Sequence, residues 1–372
     1  MHLFLLDLFV SLDTLAPIIK VVQKKNKIGI CNVNPINKFE NLDLYKYITR
    51  KINFIDDIPL TFSNKTFFFI IKIILFLPKI FLKKAGWIWY YIYKNKNFSS
   101  TEILKDYLVV NNVKSITFEE SIPQKIIYKF YEASRKLDIK LVKIPSGINT
   151  IKLNQIDSYY LKYCDYYLAP NFLRRLKKKI DKRKILYFGT LRYSKYWINE
   201  LKKIYKFKKI RDISVGILNK ENSIEYLPLT VIKKNLEIKY NFKVYQSLKP
   251  RTTFPIQVSN IFDKNLLTSK VIGNSNILLF ARSSSVLFEG LINNKKIVFL
   301  NFLNKNLKNS LLYKYKIIKK INNETDFYSY IDLKKNEINT KVEKKIIFKK
   351  FLLNFFNEKK LKANYINFYE KI

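Results

Sequence analysis

The chain has 372 residues, 48% of them hydrophobic, which is enough for more than one sizeable core and argues against wholesale disorder. Its net charge of +41 rests on 70 basic against 29 acidic residues, but only nine of the basic residues are Arg. A surface so dominated by Lys, with no RNA-recognition signature, zinc knuckle or basic zipper, points to a generally basic exterior and attraction to anionic lipid, not to nucleic acid. The one His, His2, sits beside the initiating Met, so a Ser-His-Asp triad, a His general base and a His-Cys zinc site are excluded. Cys31 and Cys164 lie in apolar runs and read as buried thiols, not a disulfide framework.

In chain order, "HLFLLDL" (2–8) reads as a strand, a helix follows that starts near Asp13, and "KIGICNV" (27–33) is a second strand. Asp13 then suits the helix N-cap. The most apolar region, 66–93, is broken by Lys72, Pro78, Lys79, Lys83 and Lys84, leaving no uncharged run near the ~18–20 residues that a spanning helix needs. It fits an interfacial helix with aromatic rings at headgroup level, or equally a core helix whose Lys stems reach outward. The start of the chain, interrupted by Asp7 and Asp13, is a poor secretion signal.

A helix over 100–112, a strand "SITFEE", a helix opening on Pro123, and strands at 139–145 and 165–170 complete an alternating first half. The texture turns basic and strandless at 171–183, and a domain boundary is placed there. Alternation restarts with strands at 184–190 and 212–218, a helix over 222–239, strand "NFKVYQS" and a possible strand near 256–261. Helix "KNLLTSKVIG", strand "NILLFA", a helix after three serines, and strand "KKIVFL" follow, before a helical tail. Short apolar strands alternating with helices indicate parallel sheets covered on both faces. The expected organisation is residues 1–175, 184–335 and a tail at 340–372: two Rossmann-like halves whose ligands bind beyond the carboxyl ends of the strands, in the cleft between them.

The densest chemistry is at "FARSSSVLFEGLINNKKIVFL" (280–300), where Arg282, Ser283, Ser284 and Ser285 occupy a strand-to-helix turn. Free backbone N–H groups, hydroxyls and a guanidinium there suit a phosphate, and Glu289, one turn on from Ser285, could accept from sugar hydroxyls. A serine that merely caps the helix accounts for the same pattern. Glu119 and Glu120, at the end of "SITFEE", are candidate bases, with Asp13 as a rival.

The 280–300 block resembles the nucleotide-binding signature of GT-B glycosyltransferases of bacterial surface-polysaccharide synthesis. "LYFGTLRYSKYWINEL" (186–201) is similar to the opening of their second domain, "KVYQSLKPRT" (243–252) to their Lys-x-His-Pro-Arg segment, and "IKLVKIPSGINT" (139–150) to a strand that ends in Pro-His-Gly. The resemblance implies a GT-B-like α/β fold and transfer from a nucleotide-sugar co-substrate, without metal or other cofactor, to a lipid-linked or polysaccharide acceptor at the cytoplasmic membrane face. It implies donor contacts from Gly189, Thr190, Arg192, Lys249, Arg251, Arg282, the three serines and Glu289, with Ser146 and Gly147 touching donor or acceptor. The histidines of two of these segments are missing here, which counts against the related UDP-N-acetylglucosamine 2-epimerases. Glycerol- or polyol-phosphate transfer and a catalytically inert membrane-associated relative are the alternatives.

Overall fold

The computed structural model describes residues 1–7, 9–33, 39, 42–52, 54–57, 101–148, 161–171, 181–206, 213–220, 226–249, 268–332 and 341–372. The 66–93 segment, the strand expected near 256–261 and Arg251 lie outside these residues.

Seven parallel strands form the first sheet: β1 (His2–Leu6), β2 (Ile28–Asn32), β3 (Phe54–Asp57), β4 (Ser115–Glu119), β5 (Lys140–Ile144), β6 (Tyr166–Ala169) and β7 (Ile185–Tyr187), in the order β3-β2-β1-β4-β5-β6-β7. Both faces of β1 are buried, because successive side chains alternate between two cores. Phe4 and Leu6 join one core with helices α1 (Phe9–Val22) and α2 (Asp43–Thr49), while Leu3 and Leu5 join the other, under α3 (Thr101–Val110) and α4 (Gln124–Arg135). Pro123 stands at the N-cap of α4, where its missing N–H costs nothing.

The second sheet is also fully parallel, with β8 (Ser214–Lys220), β9 (Lys243–Lys249), β10 (Ile277–Phe280), β11 (Lys296–Leu300) and β12 (Ile318–Ile321) in the order β12-β11-β10-β8-β9. Strand order reverses beside β1 in the first sheet and beside β8 in the second, which sets a ligand crevice at the carboxyl ends there. The helices of this half are α6 (Tyr226–Ile238), α7 (Thr268–Gly273), α8 (Leu287–Ile292) and α9 (Glu324–Asp332); α5 (Lys195–Tyr205) precedes them. The fold is therefore α/β, with two Rossmann-like parallel-sheet domains and C-terminal helices.

Three expectations are corrected. The 171–183 boundary does not separate the sheets: β7 pairs with β6, and Trp197, Ile198 and Leu201 of α5 pack into the first core. Residues 185–187 thus belong to the first sheet and not to the second. Helix α1 begins at Phe9, so Asp13 lies inside it and is no N-cap; Pro17, four residues on, lacks the amide that would bond the Asp13 carbonyl. The elements α2, β3, β12 and α9 had no counterpart in the sequence reading, because short strands such as "FIDD" and "IKKI" carry as much charge as apolar character.

The tail divides. Helix α10 (Lys341–Phe351) buries Ile347, Phe348 and Phe351 in the second domain's core, whereas α11 (Glu358–Lys371) returns to the first, where Tyr369 hydrogen-bonds Thr117 at 2.7 Å. His2 is buried beneath it, its Nδ1 2.8 Å from Ser115 Oγ, and burial pushes its pKa down to about 4. Both cysteines are buried. No helix of the described residues is long and apolar enough to cross a membrane.

Gly290 sets the approach of α8 to its sheet: a Cβ there would lie 2.6 Å from Leu278 Cδ1 and 2.9 Å from Ile297 Cδ1, both in the packed core. Gly290→Ala is expected to destabilise the protein by about 1–3 kcal/mol, seen as a lower urea midpoint at unchanged slope.

Candidate functional site

The carboxyl ends of the two sheets meet around Arg192. This residue lies in a 3-10 turn (Leu191–Tyr193) between β7 and α5 and is buried. Its Nη2 is 3.6 Å from Asp13 Oδ2, on α1 of the first domain, and 3.8 Å from Glu289 Oε2, on α8 of the second. Its Nη1 donates to Thr14 Oγ1 at 3.3 Å and to the Ser146 carbonyl at 3.5 Å. One guanidinium thus ties together the helix after β1, the turn after β5 and the helix after β10.

Three charges in so dry a space cannot all be held at full cost. Burial pushes the Asp13 carboxyl above its usual range, with Arg192 opposing. Burial likewise raises Glu289 to about 7, against the pull of Arg192 and with the added push of Asp13. Burial alone would lower Arg192, but Tyr193, Asp13, Glu289 and Glu119 outweigh it and hold the guanidinium charged. The neutral arrangement is one Arg cation, one carboxylate and one proton shared between the two acids. Glu289 Oε2 finds no hydrogen-bond donor among the described residues, which leaves an acceptor for an incoming hydroxyl.

The serines diverge. The Ser283 hydroxyl donates to Ser310 Oγ at 3.2 Å, Ser284 Oγ accepts from the Val286 N–H at 3.3 Å, and Ser285 Oγ accepts from the Tyr193 hydroxyl at 3.2 Å. No serine side chain caps α8, whose N-cap is Val286, and a six-residue helix brings little dipole to the turn. Any grip on an anion therefore rests on the side chains. Ser285 stands at the interdomain contact, since a Cβ added at Gly147 would land on its hydroxyl. Gly147 lets the first domain's turn touch the second domain's serine turn. Arg282 is exposed.

The remaining candidates fall into place around this centre, or away from it. Ser146 donates to Glu120 Oε1 at 2.8 Å while its carbonyl receives Arg192, so Glu120 holds the β5 turn. Glu119 is buried and accepts from the Ser121 N–H at 3.0 Å and from the Ser121 hydroxyl, which makes it the fastening of its own turn. The two adjacent acids therefore look in different directions and do not act as a pair. Gly189 adopts φ 91°, its carbonyl accepts from Tyr365 at 2.9 Å, and a Cβ would collide with the Leu353 backbone; it serves the junction with the tail. Thr190 caps the 3-10 turn by position, without a side-chain bond. Lys249 ends β9, the edge strand of the second sheet. Among the described residues no cluster of three His, Cys, Asp or Glu could hold a metal.

Sequence reading missed Thr14, Tyr193 and Tyr205. Tyr193 supplies the donor to Ser285, and Tyr205 is half-buried, its pKa raised first by desolvation and further by Asp13 and Glu289. All three sit on helical stretches that read as ordinary core, so only the meeting of the domains reveals them.

No protein-family model matches the chain, and no curated protein is significantly similar to it in sequence. Solved structures are similar in fold. A UDP-GlcNAc 2-epimerase from Neisseria meningitidis bound to UDP-GlcNAc aligns with TM-score 0.52 at 14% identity, over 100% of each chain. A UDP-N-acetylglucosamine 2-epimerase from Rickettsia bellii aligns at 0.51 and 10% identity, over 99% of this chain and 95% of that one. A glycosyltransferase from Rickettsia africae ESF-5 superposes more loosely, at 0.47 and 13% identity over 100% of this chain and 97% of that one. At such identities the likeness is one of fold, and the fold is GT-B-like.

Proposed function

We propose that this protein is a metal-independent glycosyltransferase that receives a nucleotide-activated sugar in the cleft and passes the sugar to a lipid-linked or polysaccharide acceptor at the cytoplasmic membrane face. The observation that carries the proposal is the convergence on Arg192 of Asp13 from one domain and Glu289 from the other, with the serine turn alongside.

Each group has a task in this reading. Glu289 accepts from the hydroxyls of the donor's ribose or sugar, because its buried oxygen has no other donor among the described residues. Ser284, Ser285 and Arg282 receive the phosphates, with Lys249 and Arg251 adding positive charge as the leaving group separates. Among the described residues Asp13 is the candidate base of the first domain that pairs with Arg192, and its raised pKa improves it as a proton acceptor. Arg192 keeps it ionised and oriented. Glu119 and Glu120 are left to shape the turns.

Thermal stabilisation by UDP-, CDP- or CMP-linked sugars identifies the donor class, since a ligand that binds only the folded state raises its melting temperature. A Ser284→Ala, Ser285→Ala double variant is expected to stay folded and to bind that donor at least about tenfold more weakly, each hydroxyl-to-phosphate bond contributing about 1.5–3 kcal/mol. Unchanged calorimetric binding removes the serine turn from the donor site.

Nucleotide-sugar epimerisation is the second reading, favoured by the fold likeness to structures bearing that name. Its weakness is chemical: the one His is buried beneath α11 at the start of β1, the opposite end of that strand from its carboxyl edge. Incubation with UDP-GlcNAc alone, followed by proton NMR, separates the two. A new sugar configuration without acceptor supports epimerisation, and its absence supports transfer.

A further inference from the structure

Helix α10 has two unlike faces. Ile347, Phe348 and Phe351 are buried in the second core, and Phe348 packs on Phe355 with ring centroids 4.4 Å apart. Opposite them, Val342 is 66% exposed and Ile346 50% exposed, one turn apart on a single ridge. The chain reverses at Asn354 (φ 54°) and presents Phe356, 58% exposed, beside Phe355. Three large apolar side chains are thus exposed within residues 342–356, a stretch that is otherwise highly charged.

Their neighbours are all of one sign. Residues 341–362 contain eight Lys and two Glu. Both acids are turned inward: the Glu343 carboxylate accepts the N–H groups of Lys316 and Ile317 at 2.7 and 2.6 Å, and Glu358 accepts that of Tyr196 at 3.0 Å. Lys344 and Lys362 are likewise engaged, with Asn294 and with the Tyr196 ring. Lys341, Lys345, Lys349, Lys350, Lys359 and Lys360 are exposed, in the same stretch as Val342, Ile346 and Phe356.

We propose that this face of α10 and the turn after it dock on an anionic lipid bilayer. A bilayer surface satisfies both halves of the pattern at once. The apolar ridge and the Phe356 ring enter the acyl boundary, while long Lys stems leave their ammonium groups among anionic headgroups. A nucleic acid would use the charge but gain nothing from an exposed Val and Ile, and the 341–372 tail contains no Arg to fork onto phosphates or bases. The backbone N–H groups that hold Glu343 and Glu358 turn the two carboxylates towards the protein body, and the eight Lys outnumber them, so the local charge is positive.

The test uses the full chain with phosphatidylcholine vesicles, with and without phosphatidylglycerol, at near-physiological salt. Sedimentation with the phosphatidylglycerol vesicles is expected for the unaltered protein. A Val342→Ser, Ile346→Ser, Phe356→Ser variant, all on the solvent face, should melt at the same temperature and bind at least about tenfold more weakly, since affinity scales with the apolar area inserted. Independently of that variant's folding, Phe356→Trp should shift its emission to the blue on anionic vesicles and not on neutral ones. Binding by the triple variant equal to the parent, or Trp emission indifferent to anionic lipid, overturns the proposal. So does tighter binding to a single-stranded oligonucleotide that survives the triple substitution.

Discussion

Replacing Arg192 by methionine is expected to destabilise the protein by about 3–5 kcal/mol at pH 8, the loss typical of removing one partner from a buried ion pair. The side chain volume is nearly kept, so the deficit reports charge more than packing. With the guanidinium gone, Asp13 and Glu289 face each other in a dry site, and their folded-state pKa values move further above the values they have in the unfolded chain. A carboxyl whose pKa is raised by folding contributes nothing adverse below its unfolded pKa and loses stability as pH rises towards its folded one. The deficit of Arg192→Met should therefore shrink between pH 8 and pH 5, as both acids take up protons. The parent protein shows a weaker version of the same slope. Glu289, at about 7 in the fold, should cost on the order of 3 kcal/mol as pH rises from its unfolded range to above 7. Glu289→Gln removes that slope and keeps the site neutral, since Asp13 still balances Arg192. Urea denaturation at both pH values measures all three proteins. A deficit in Arg192→Met that is independent of pH would mean that shape, and not charge, holds the domains at this point.

Much of this centre was legible in the sequence, and the reason lies in where the residues stand. Asp13, Ser146, Gly147, Arg192, Ser285 and Glu289 all follow strand ends, and the alternation of short apolar strands with helices fixes which ends those are. Parallel sheets then bring the carboxyl ends to one side by topology alone. What alternation does not encode is partnership. Nothing local distinguishes Glu119, fastened to Ser121, from Asp13, reaching across to Arg192. Both are acids after a strand, and only packing between domains separates them. The same holds for Arg192, read as a phosphate ligand but found with its charge committed to two carboxylates. It can serve a donor phosphate only if one of those carboxylates is protonated or moves away. Glu289 is suited to the first of these, having a pKa close to the working pH of a cell. The late domain transition was illegible for a different reason. Strand β7 is three residues long, and its membership of the first sheet is decided by β6 and by the returning tail, both distant in sequence from α5.

The proposed base gives the sharpest functional expectation. Asp13→Asn should lower kcat by about 10²–10⁴-fold, the usual loss when a positioned general base is removed. The donor Kd should stay unchanged, because the donor contacts lie on the other domain. The assay is release of the nucleotide (UDP, CDP or CMP, according to the donor class found by thermal stabilisation) with water as acceptor. Folding is protected by the same electrostatics that govern the Arg192 variant. When Asp13 loses its charge, Arg192 still has Glu289 at 3.8 Å, and the site remains neutral with Glu289 ionised. Loss of turnover with an unchanged melting temperature is therefore the expected signature. Glu289→Gln should give the converse, weaker donor binding with a smaller effect on kcat, because its role is to accept from the bound nucleotide-sugar. The parent's activity should rise with pH through a value above the ordinary aspartate range, since burial holds Asp13 protonated longer than in water. Glu120→Gln, at a carboxylate that accepts from the Ser146 hydroxyl, should leave turnover near the parent's. If instead Asp13→Asn turns over normally while Glu120→Gln does not, the base is at the end of β4, and the contact between Asp13 and Arg192 serves only to join the domains.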